Sequence, residues 1–195
     1  MDRLLAAGLA LLAGASVLGQ VFGPFPGAPA DAAGRIWLMA GLFTILTNLL
    51  ICGTMLARAA GARVAARWAL ALLVSILVVS AVDHTLLAPL WAPEGFAWWA
   101  NQGLHSAVPV FYALWWLDYA DKRLGRGALG TCLAWPLVYC GYALTRGALT
   151  GFWPYPFLDA GALGWARVGL NIVGLVAVFV ALSSALIALA RRLSR

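Results

Sequence analysis

The sequence has few charged residues. Only 10% of its 195 residues are Asp, Glu, Lys or Arg and 64% are hydrophobic, whereas a soluble domain averages about 25% charged and about 45–50% apolar residues. A soluble fold of this size has more surface than so few charges can cover, which excludes a soluble globular protein. Disordered chains are poor in apolar residues, so an intrinsically disordered chain is excluded too. The composition predicts an integral membrane protein.

Residue types that bind metals or form disulfides are also scarce. The three cysteines, Cys52, Cys132 and Cys140, all lie in apolar stretches. Their odd number and their spacing favour buried free thiols over a disulfide framework or a metal site. The two histidines, His84 and His105, stand in no Cys-x2-Cys-His motif. We therefore expect no metal and no cofactor.

Long apolar runs fill most of the chain. A membrane-spanning helix needs about 20 mostly apolar residues, and lipid offers backbone groups no partner outside the helix. Six runs meet this description, at about residues 4–22, 36–57, 68–87, 96–117, 128–144 and 163–189. We predict an all-α, polytopic integral membrane bundle of six transmembrane helices that forms a single domain over residues 1–195.

The basic residues follow one side of the predicted membrane. With six crossings, ten of the 13 basic residues fall on one side and only Arg35, Arg146 and Arg167 fall on the other. The ten are Arg3, Arg58, Arg63, Arg67, Lys122, Arg123, Arg126, Arg191, Arg192 and Arg195. Because cytoplasmic loops carry the excess of Lys and Arg, we predict that both termini lie in the cytoplasm. The same bias accounts for the net charge of +6 without a nucleic-acid partner.

The first apolar run has a second interpretation. Met1-Asp2-Arg3 before the run and Ala28-Pro29-Ala30 after it resemble a secretory signal sequence. The run is long for a signal core, which favours a retained helix. Cleavage would leave five spans in the same orientation.

Polar residues interrupt the apolar runs. Such side chains are costly in a membrane bundle and face its interior or a cavity, although Thr and Asn also serve as contacts between helices. They include Thr44, Thr47, Asn48, Asp83, His84, Asn101, His105 and Asn171. A rise of about 1.5 Å per residue places Thr44, His105 and Asn171 about 12–13 Å below the outer surface. Asp83 and His84 lie about 6–9 Å below it, so four helices contribute to one polar layer.

Three stretches carry a family resemblance. They are Leu42-Phe-Thr-Ile-Leu-Thr-Asn48, Asn101-Gln-Gly-Leu-His-Ser-Ala-Val-Pro109 and Arg146-Gly-Ala-Leu-Thr-Gly-Phe-Trp-Pro-Tyr-Pro-Phe-Leu-Asp159. In this order and spacing, the chain from about residue 36 to residue 175 resembles the androgen-induced-gene family of six-span membrane threonine hydrolases, in its bacterial branch. The resemblance implies an intramembrane hydrolase of fatty acid esters of hydroxy fatty acids or similar lipid-like esters, located in a bacterial inner membrane.

The resemblance also implies site residues. His105 matches the family histidine, and Thr44 matches the family threonine because it follows Leu42 and Phe43. Thr47, one turn further along the same helix face, is the alternative nucleophile, and the surroundings of Asn48 depart from the family pattern. The chemistry of the residues agrees, since a threonine hydroxyl needs an adjacent base and a neutral histidine provides one.

Other polar residues have supporting roles in this interpretation. The Asn48 and Asn101 amides are candidates to stabilise a tetrahedral oxyanion, and Asp83 is a candidate to orient the histidine as the third member of a triad. His84 and Asn171 complete the supporting group. Membrane lipids and a lipid-like ester are the expected partners, and the oligomeric state stays open.

Two functions of other classes remain as alternatives. One is a small transporter or lipid-binding scaffold in which Asp83 and His105 relay protons, although no inverted repeat or broken helix is evident in the sequence. The other is a b-type cytochrome with His84 and His105 as axial ligands, since both histidines lie in the same layer.

Overall fold

The computed structural model describes residues 1–24, 29–88 and 93–194, so that Ala28 and Arg195 lie outside the described residues. The described part is helical and contains no strand, which confirms the all-α prediction. Its α-helices are α1 (Asp2–Phe22), α2 (Ala32–Met39), α3 (Phe43–Ala59), α4 (Ala66–Val82), α5 (Gly95–Gln102), α6 (Val108–Tyr119), α7 (Ala128–Thr150), α8 (Ala160–Leu163) and α9 (Trp165–Leu193).

Several of these helices are long and apolar enough to cross a membrane. Among the described residues they are α1, α4 with the turn that follows it, α7 and α9, and the bent pair of α2 and α3 makes a fifth. The helical segment from Gly95 to Tyr119 lies where the fourth span is predicted. It is not among the helices that are apolar enough, because Asn101, Gln102 and His105 interrupt it.

The second predicted span is not one helix. The sequence predicts a single helix over residues 36–57, but α2 and α3 meet at an angle of 93°. A Cβ at Gly41 would clash with the side chains of Phe152 and Arg146, so the close approach of these side chains requires glycine. The hydroxyls of Tyr139 and Tyr142 donate to the carbonyl oxygens of Gly41 and Ala40 at 2.8 and 3.1 Å. These bonds satisfy backbone groups that the bend leaves free.

The bend corrects two expectations. The sequence shows no evident broken helix, yet the structure contains one between Met39 and Phe43. The predicted depth of Thr44 assumes a straight helix that begins near residue 36. Thr44 instead lies in the first turn of α3, where the backbone N–H groups have no partner within the helix.

Two π-helical turns interrupt the α-helices. One, Asp83–Leu87, continues α4, and the backbone N–H of Ala88 donates to the carbonyl of Asp83 at 2.7 Å. The other, Gly103–Ala107, joins α5 to α6. Single π turns inside helices occur often at functional sites. Here they carry Asp83, His84 and His105.

Helix α4 forms the centre of the packing. It contacts α3, α6, α7 and α9, while α1 packs along α3. Leu70, Leu72, Leu73 and Ile76 of α4 are at most 1% exposed, as expected for a helix that is apolar on all sides. By contrast, only 11% of the most apolar part of α9 is buried, so most of its surface is free to face lipid.

The bundle has two chemically different ends. We name as the basic end the start of α1, residues 60–65, residues 120–127 and the end of α9. There Arg58 pairs with Asp2, and Trp115 Nε1 donates to the same carboxylate at 2.8 Å. The opposite end, which we name the site end, contains the bend between α2 and α3 and both π turns.

Candidate functional site

Thr44 and His105 meet at the site end. The Nε2 atom of His105 lies 3.3 Å from the Thr44 hydroxyl oxygen. Thr44 comes from the start of α3 and His105 from the π turn between α5 and α6, so the contact joins two helices. Each residue is 8% exposed. The structure therefore brings together the two residues that the sequence predicts as nucleophile and base.

A hydrogen bond to the backbone determines which ring nitrogen of His105 carries the hydrogen. The Nδ1 atom lies 3.1 Å from the carbonyl oxygen of Asn101. A carbonyl oxygen only accepts hydrogen bonds, so Nδ1 carries the hydrogen in this contact. In the neutral ring Nε2 then has a free lone pair, and this lone pair faces the Thr44 hydroxyl. The arrangement is suited to proton transfer from Thr44.

Asp83 lies beside the same nitrogen. Its Oδ1 atom is 3.6 Å from His105 Nε2. The sequence predicts Asp83 as the third member of a triad, and such a carboxylate binds the other ring nitrogen. The structure differs, because the Asn101 carbonyl occupies that position. Asp83 instead places negative charge next to the nitrogen that would receive a proton.

His84 belongs to the surface of the site. Its side chain is 50% exposed, and its Nδ1 lies 4.0 Å from the Asp83 carboxylate. The same Nδ1 lies 2.8 Å from the carbonyl oxygen of Ser80, and Nε2 lies 3.2 Å from the Ser106 hydroxyl. Asp83 therefore stands between a buried and an exposed histidine.

Thr47 has a different partner from Thr44. Its hydroxyl accepts a hydrogen bond from Trp135 Nε1 at 3.0 Å, and the residue is completely buried. Asn171 donates from Nδ2 to the carbonyl of Phe157 at 2.9 Å. Among the described residues neither side chain has a hydrogen bond to His105, and each joins helices or segments instead. Sharing a predicted layer does not bring them into the site.

The two asparagines act through atoms other than those predicted. Asn48 Nδ2 donates to the backbone carbonyl of Thr44 at 2.9 Å, which anchors the start of α3 and uses one of the two N–H groups of the amide expected at an oxyanion. Asn101 contributes its backbone carbonyl to His105. The side-chain oxygens of Asn48 and Asn101 are buried and have no hydrogen-bond partner among the described residues.

Tyr155 is a site residue that the sequence analysis does not single out. Its hydroxyl accepts a hydrogen bond from the backbone N–H of Phe43 at 3.0 Å, and Thr44 lies beside it. Burial raises the pKa of Tyr155, so the phenol stays neutral and keeps a proton to donate. The residue lies in the Tyr-Pro-Phe-Leu-Asp stretch that carries part of the resemblance, which was the available signal.

An apolar cavity begins at Thr44. It lies among α3, α4, α7, α9 and the segment around Tyr155 and is partly open to the outside. Val79, Leu137 and Phe179 are typical of its lining. An apolar cavity with few polar groups accepts a hydrocarbon chain. The polar residues in its lining are Thr44, Tyr139, Cys140 and Tyr155.

Comparison of the chain with protein-family models, with curated proteins and with solved structures finds no match. Within the described residues, no group of three or more His, Cys, Asp or Glu side chains is arranged to hold a metal ion. The geometry around Thr44 is therefore the basis for the functional interpretation.

Proposed function

We propose that this protein is an intramembrane hydrolase of lipid-like esters, with Thr44 as the nucleophile and His105 as the general base. The observation that carries the proposal is the 3.3 Å contact between His105 Nε2 and the Thr44 hydroxyl, with Nδ1 held by a backbone carbonyl. The resemblance of the sequence to the androgen-induced-gene family supports the same two residues and fatty acid esters of hydroxy fatty acids, or similar esters, as substrates.

The proposed reaction has two steps. In the first, Thr44 Oγ1 attacks the ester carbonyl carbon while His105 Nε2 takes the hydroxyl proton. The bond to the alcohol oxygen then breaks, and the imidazolium returns its proton to this leaving oxygen, which leaves an acyl-threonine. In the second step water gives a proton to His105 and attacks the acyl carbon. Thr44 Oγ1 leaves with that proton, and the fatty acid is released.

Three groups supply the electrostatics in this proposal. The Asp83 carboxylate, 3.6 Å from His105 Nε2, stabilises the imidazolium that forms in each step. The oxyanion faces the start of α3, where the helix dipole favours negative charge. The Tyr155 hydroxyl, held by the N–H of Phe43, donates to the same region.

The membrane setting of the proposal follows from the apolar helices and the charge pattern. Six spans, with both termini on the cytoplasmic side of a bacterial inner membrane, are part of the proposal. The acyl chain occupies the cavity that begins at Thr44. The exposed His84 marks the side from which water reaches the buried pair.

Hydrolysis of a fluorogenic medium-chain ester by purified protein in detergent tests the proposal, together with labelling by a fluorophosphonate probe. We expect Thr44→Ala and His105→Ala each to lower kcat/KM by about 10²–10⁴-fold and to lose labelling. Thr44→Ser, which keeps a hydroxyl, retains activity. Thr47→Ala is the matched control, with activity close to wild type. Equal activity in Thr44→Ala and wild type overturns the assignment, as does a wild type that neither hydrolyses the ester nor reacts with the probe.

The bend between α2 and α3 favours a second candidate function. Transporters place binding sites at broken helices, where half-helix ends point at the substrate. A transporter or lipid-binding scaffold would use Asp83 and His105 as a proton relay. Uptake into proteoliposomes that follows a pH gradient and is lost in Asp83→Asn supports this alternative. Ester hydrolysis without gradient-driven uptake supports the hydrolase.

A further inference from the structure

Arg146 is a buried cation that the proposed reaction does not use. It lies near the end of α7 and is only 5% exposed. The ion pairs among the described residues join other groups and do not include Arg146. A buried charge without a counter-ion is costly. A long arginine side chain near the end of a membrane helix normally extends to water, but this one does not.

The contacts of Arg146 leave part of its binding capacity free. A guanidinium has five N–H donors. Nη2 donates to the carbonyl of Trp37 at 2.6 Å, and Nη1 donates to the Tyr142 hydroxyl at 3.0 Å. Nε is buried and has no partner among the described residues. Three N–H groups therefore have no hydrogen-bond partner among the described residues, and one of them, on Nε, is buried.

Two aromatic rings enclose the cation. The guanidinium carbon lies 4.2 Å from the centre of the Trp37 ring and 4.5 Å from that of Phe152. Such rings attract a cation through their faces, but neither carries a full negative charge. Gly41 lies against the same cation, because a Cβ there would clash with Nη1 of Arg146 and with the Phe152 ring. An anion therefore reaches the guanidinium through the small part of Arg146 that stays exposed.

The position of Arg146 matches a lipid head group. The residue lies four positions before Thr150, where α7 ends, which is about 6 Å along the helix axis. Trp37 and Trp165 at the same end are 57% and 60% exposed, and exposed tryptophans are typical of the head-group level of a membrane. The planar guanidinium binds two oxygens of a phosphate at once.

We propose that Arg146 is a binding site for the phosphate of a phospholipid head group, enclosed by Trp37 and Phe152. The phosphate supplies the missing negative charge and accepts hydrogen bonds from the free N–H groups. Free phosphate shares this chemistry and is the other possible source of the anion. The site is separate from the ester chemistry of Thr44 and does not depend on it.

Thermal unfolding of delipidated protein in detergent tests the site. Dioleoyl-phosphatidylglycerol raises the Tm of wild type by several degrees, since a ligand that binds the folded state stabilises it. The diacylglycerol with the same chains, which lacks the phosphate, gives little shift. Arg146→Gln loses the lipid-dependent shift, and Arg146→Lys keeps part of it. Arg167→Gln is the matched control, because Arg167 is an exposed arginine near the same end, and it retains the full shift.

The lipid-dependent shift is compared within each variant, so a lower starting Tm does not affect the result. If Arg146→Gln fails to fold, Phe152→Leu removes one enclosing ring, and native mass spectrometry of retained phosphatidylglycerol replaces the melting curve. We then expect fewer lipids retained per protein than in wild type. An equal shift from inorganic phosphate assigns the site to free phosphate. The proposal is overturned by an undiminished lipid shift in Arg146→Gln, by undiminished retention in Phe152→Leu, or by equal shifts from diacylglycerol and phosphatidylglycerol.

Discussion

The two ends of the bundle use polar residues in different ways. At the basic end the Asp2 carboxylate receives hydrogen bonds from both Arg58 and Trp115. At the site end the Asp83 carboxylate lies 3.6 Å from a histidine nitrogen whose lone pair already faces a hydroxyl. The first carboxylate has donors that fix its place in the fold. The second has a neighbour that becomes a donor only after a proton moves, which is the difference between a structural carboxylate and one that takes part in the proposed reaction.

The largest effect is expected when each of the two carboxylates, Asp83 and Asp2, is neutralised in turn. Under the proposed reaction, Asp83→Asn removes the charge that stabilises the His105 imidazolium, so we expect kcat/KM for ester hydrolysis to fall by about 10²-fold. Asp2→Asn leaves kcat/KM unchanged and lowers the free energy of unfolding by about 1 kcal/mol. Ester hydrolysis and thermal unfolding of both variants provide the measurement. A loss of activity in Asp2→Asn as large as in Asp83→Asn contradicts the distinction.

A second test compares two tyrosines of the site end. Tyr155→Phe removes the hydroxyl that accepts from Phe43 N–H beside Thr44, and we expect about a tenfold loss of kcat, since one positioned donor is lost. Tyr142→Phe removes an exposed hydroxyl that donates to the Ala40 carbonyl, and kcat stays within about twofold of wild type. Steady-state kinetics of the two variants decide the point. If Tyr155→Phe and Tyr142→Phe have equal kcat values, the Tyr155 hydroxyl contributes to the fold and not to the reaction.

A third test separates the neighbouring threonines by stability. Thr47→Val keeps the shape of the side chain but leaves Trp135 Nε1 without its acceptor. We expect the free energy of unfolding to fall by about 1–2 kcal/mol, the cost of an unpaired buried donor, with hydrolysis unchanged. Denaturant or thermal unfolding and the ester assay measure both quantities. Loss of hydrolysis with unchanged stability would exchange the roles of Thr47 and Thr44.

The smallest expected effect is a pH dependence of stability that arises from Lys122 at the basic end. Lys122 Nζ donates to the carbonyls of Trp116, Leu117 and Ala120, and burial lowers the pKa of Lys122, while Asp118 and Asp121 oppose this shift. Between the lowered pKa and the unfolded value of about 10.4, the unfolded chain binds more protons. Stability therefore rises with pH across this range.

Thermal unfolding of wild type and Lys122→Met from pH 8 to pH 11 checks this sign. We expect the Tm difference between wild type and the variant to grow in favour of wild type as the pH rises. Arg123→Gln serves as the control, because an arginine stays protonated across this range. A difference that shrinks with rising pH is the contrary outcome.

Sequence periodicity and composition predict the helical class and most helix positions. The apolar run at 163–189 corresponds to α9, and the run at 68–87 corresponds to α4 with its π turn. The bend between α2 and α3 escapes prediction, because the side chains that accommodate it, such as Tyr139 and Tyr142, come from about 100 residues away in the chain. Local sequence carries no signal for such a distant contact.

The candidate site is predictable in residue type but not in hydrogen-bond partner. The sequence predicts the pair of Thr44 and His105, and the structure brings them within 3.3 Å. The sequence also predicts that Asp83 orients His105, whereas in the structure the Asn101 carbonyl makes this contact. Backbone carbonyls occur at every position, so a sequence does not indicate which carbonyl is placed to bind a side chain. The sequence does not reveal the role of Tyr155 either, because its contact with Phe43 joins residues that are 112 positions apart in the chain.

The π turn at Gly103–Ala107 sets the direction in which the His105 side chain points. A π turn holds its backbone bond over five residues, as between Gly103 and Val108, where an α-helix uses four. The turn therefore holds one residue more than an α-helix needs over the same length. Deletion of that residue restores α-helical bonding while the helices on either side keep their places, so the residues of the turn itself change direction. Under the proposed function, the orientation of His105 towards Thr44 thus depends on a single inserted residue.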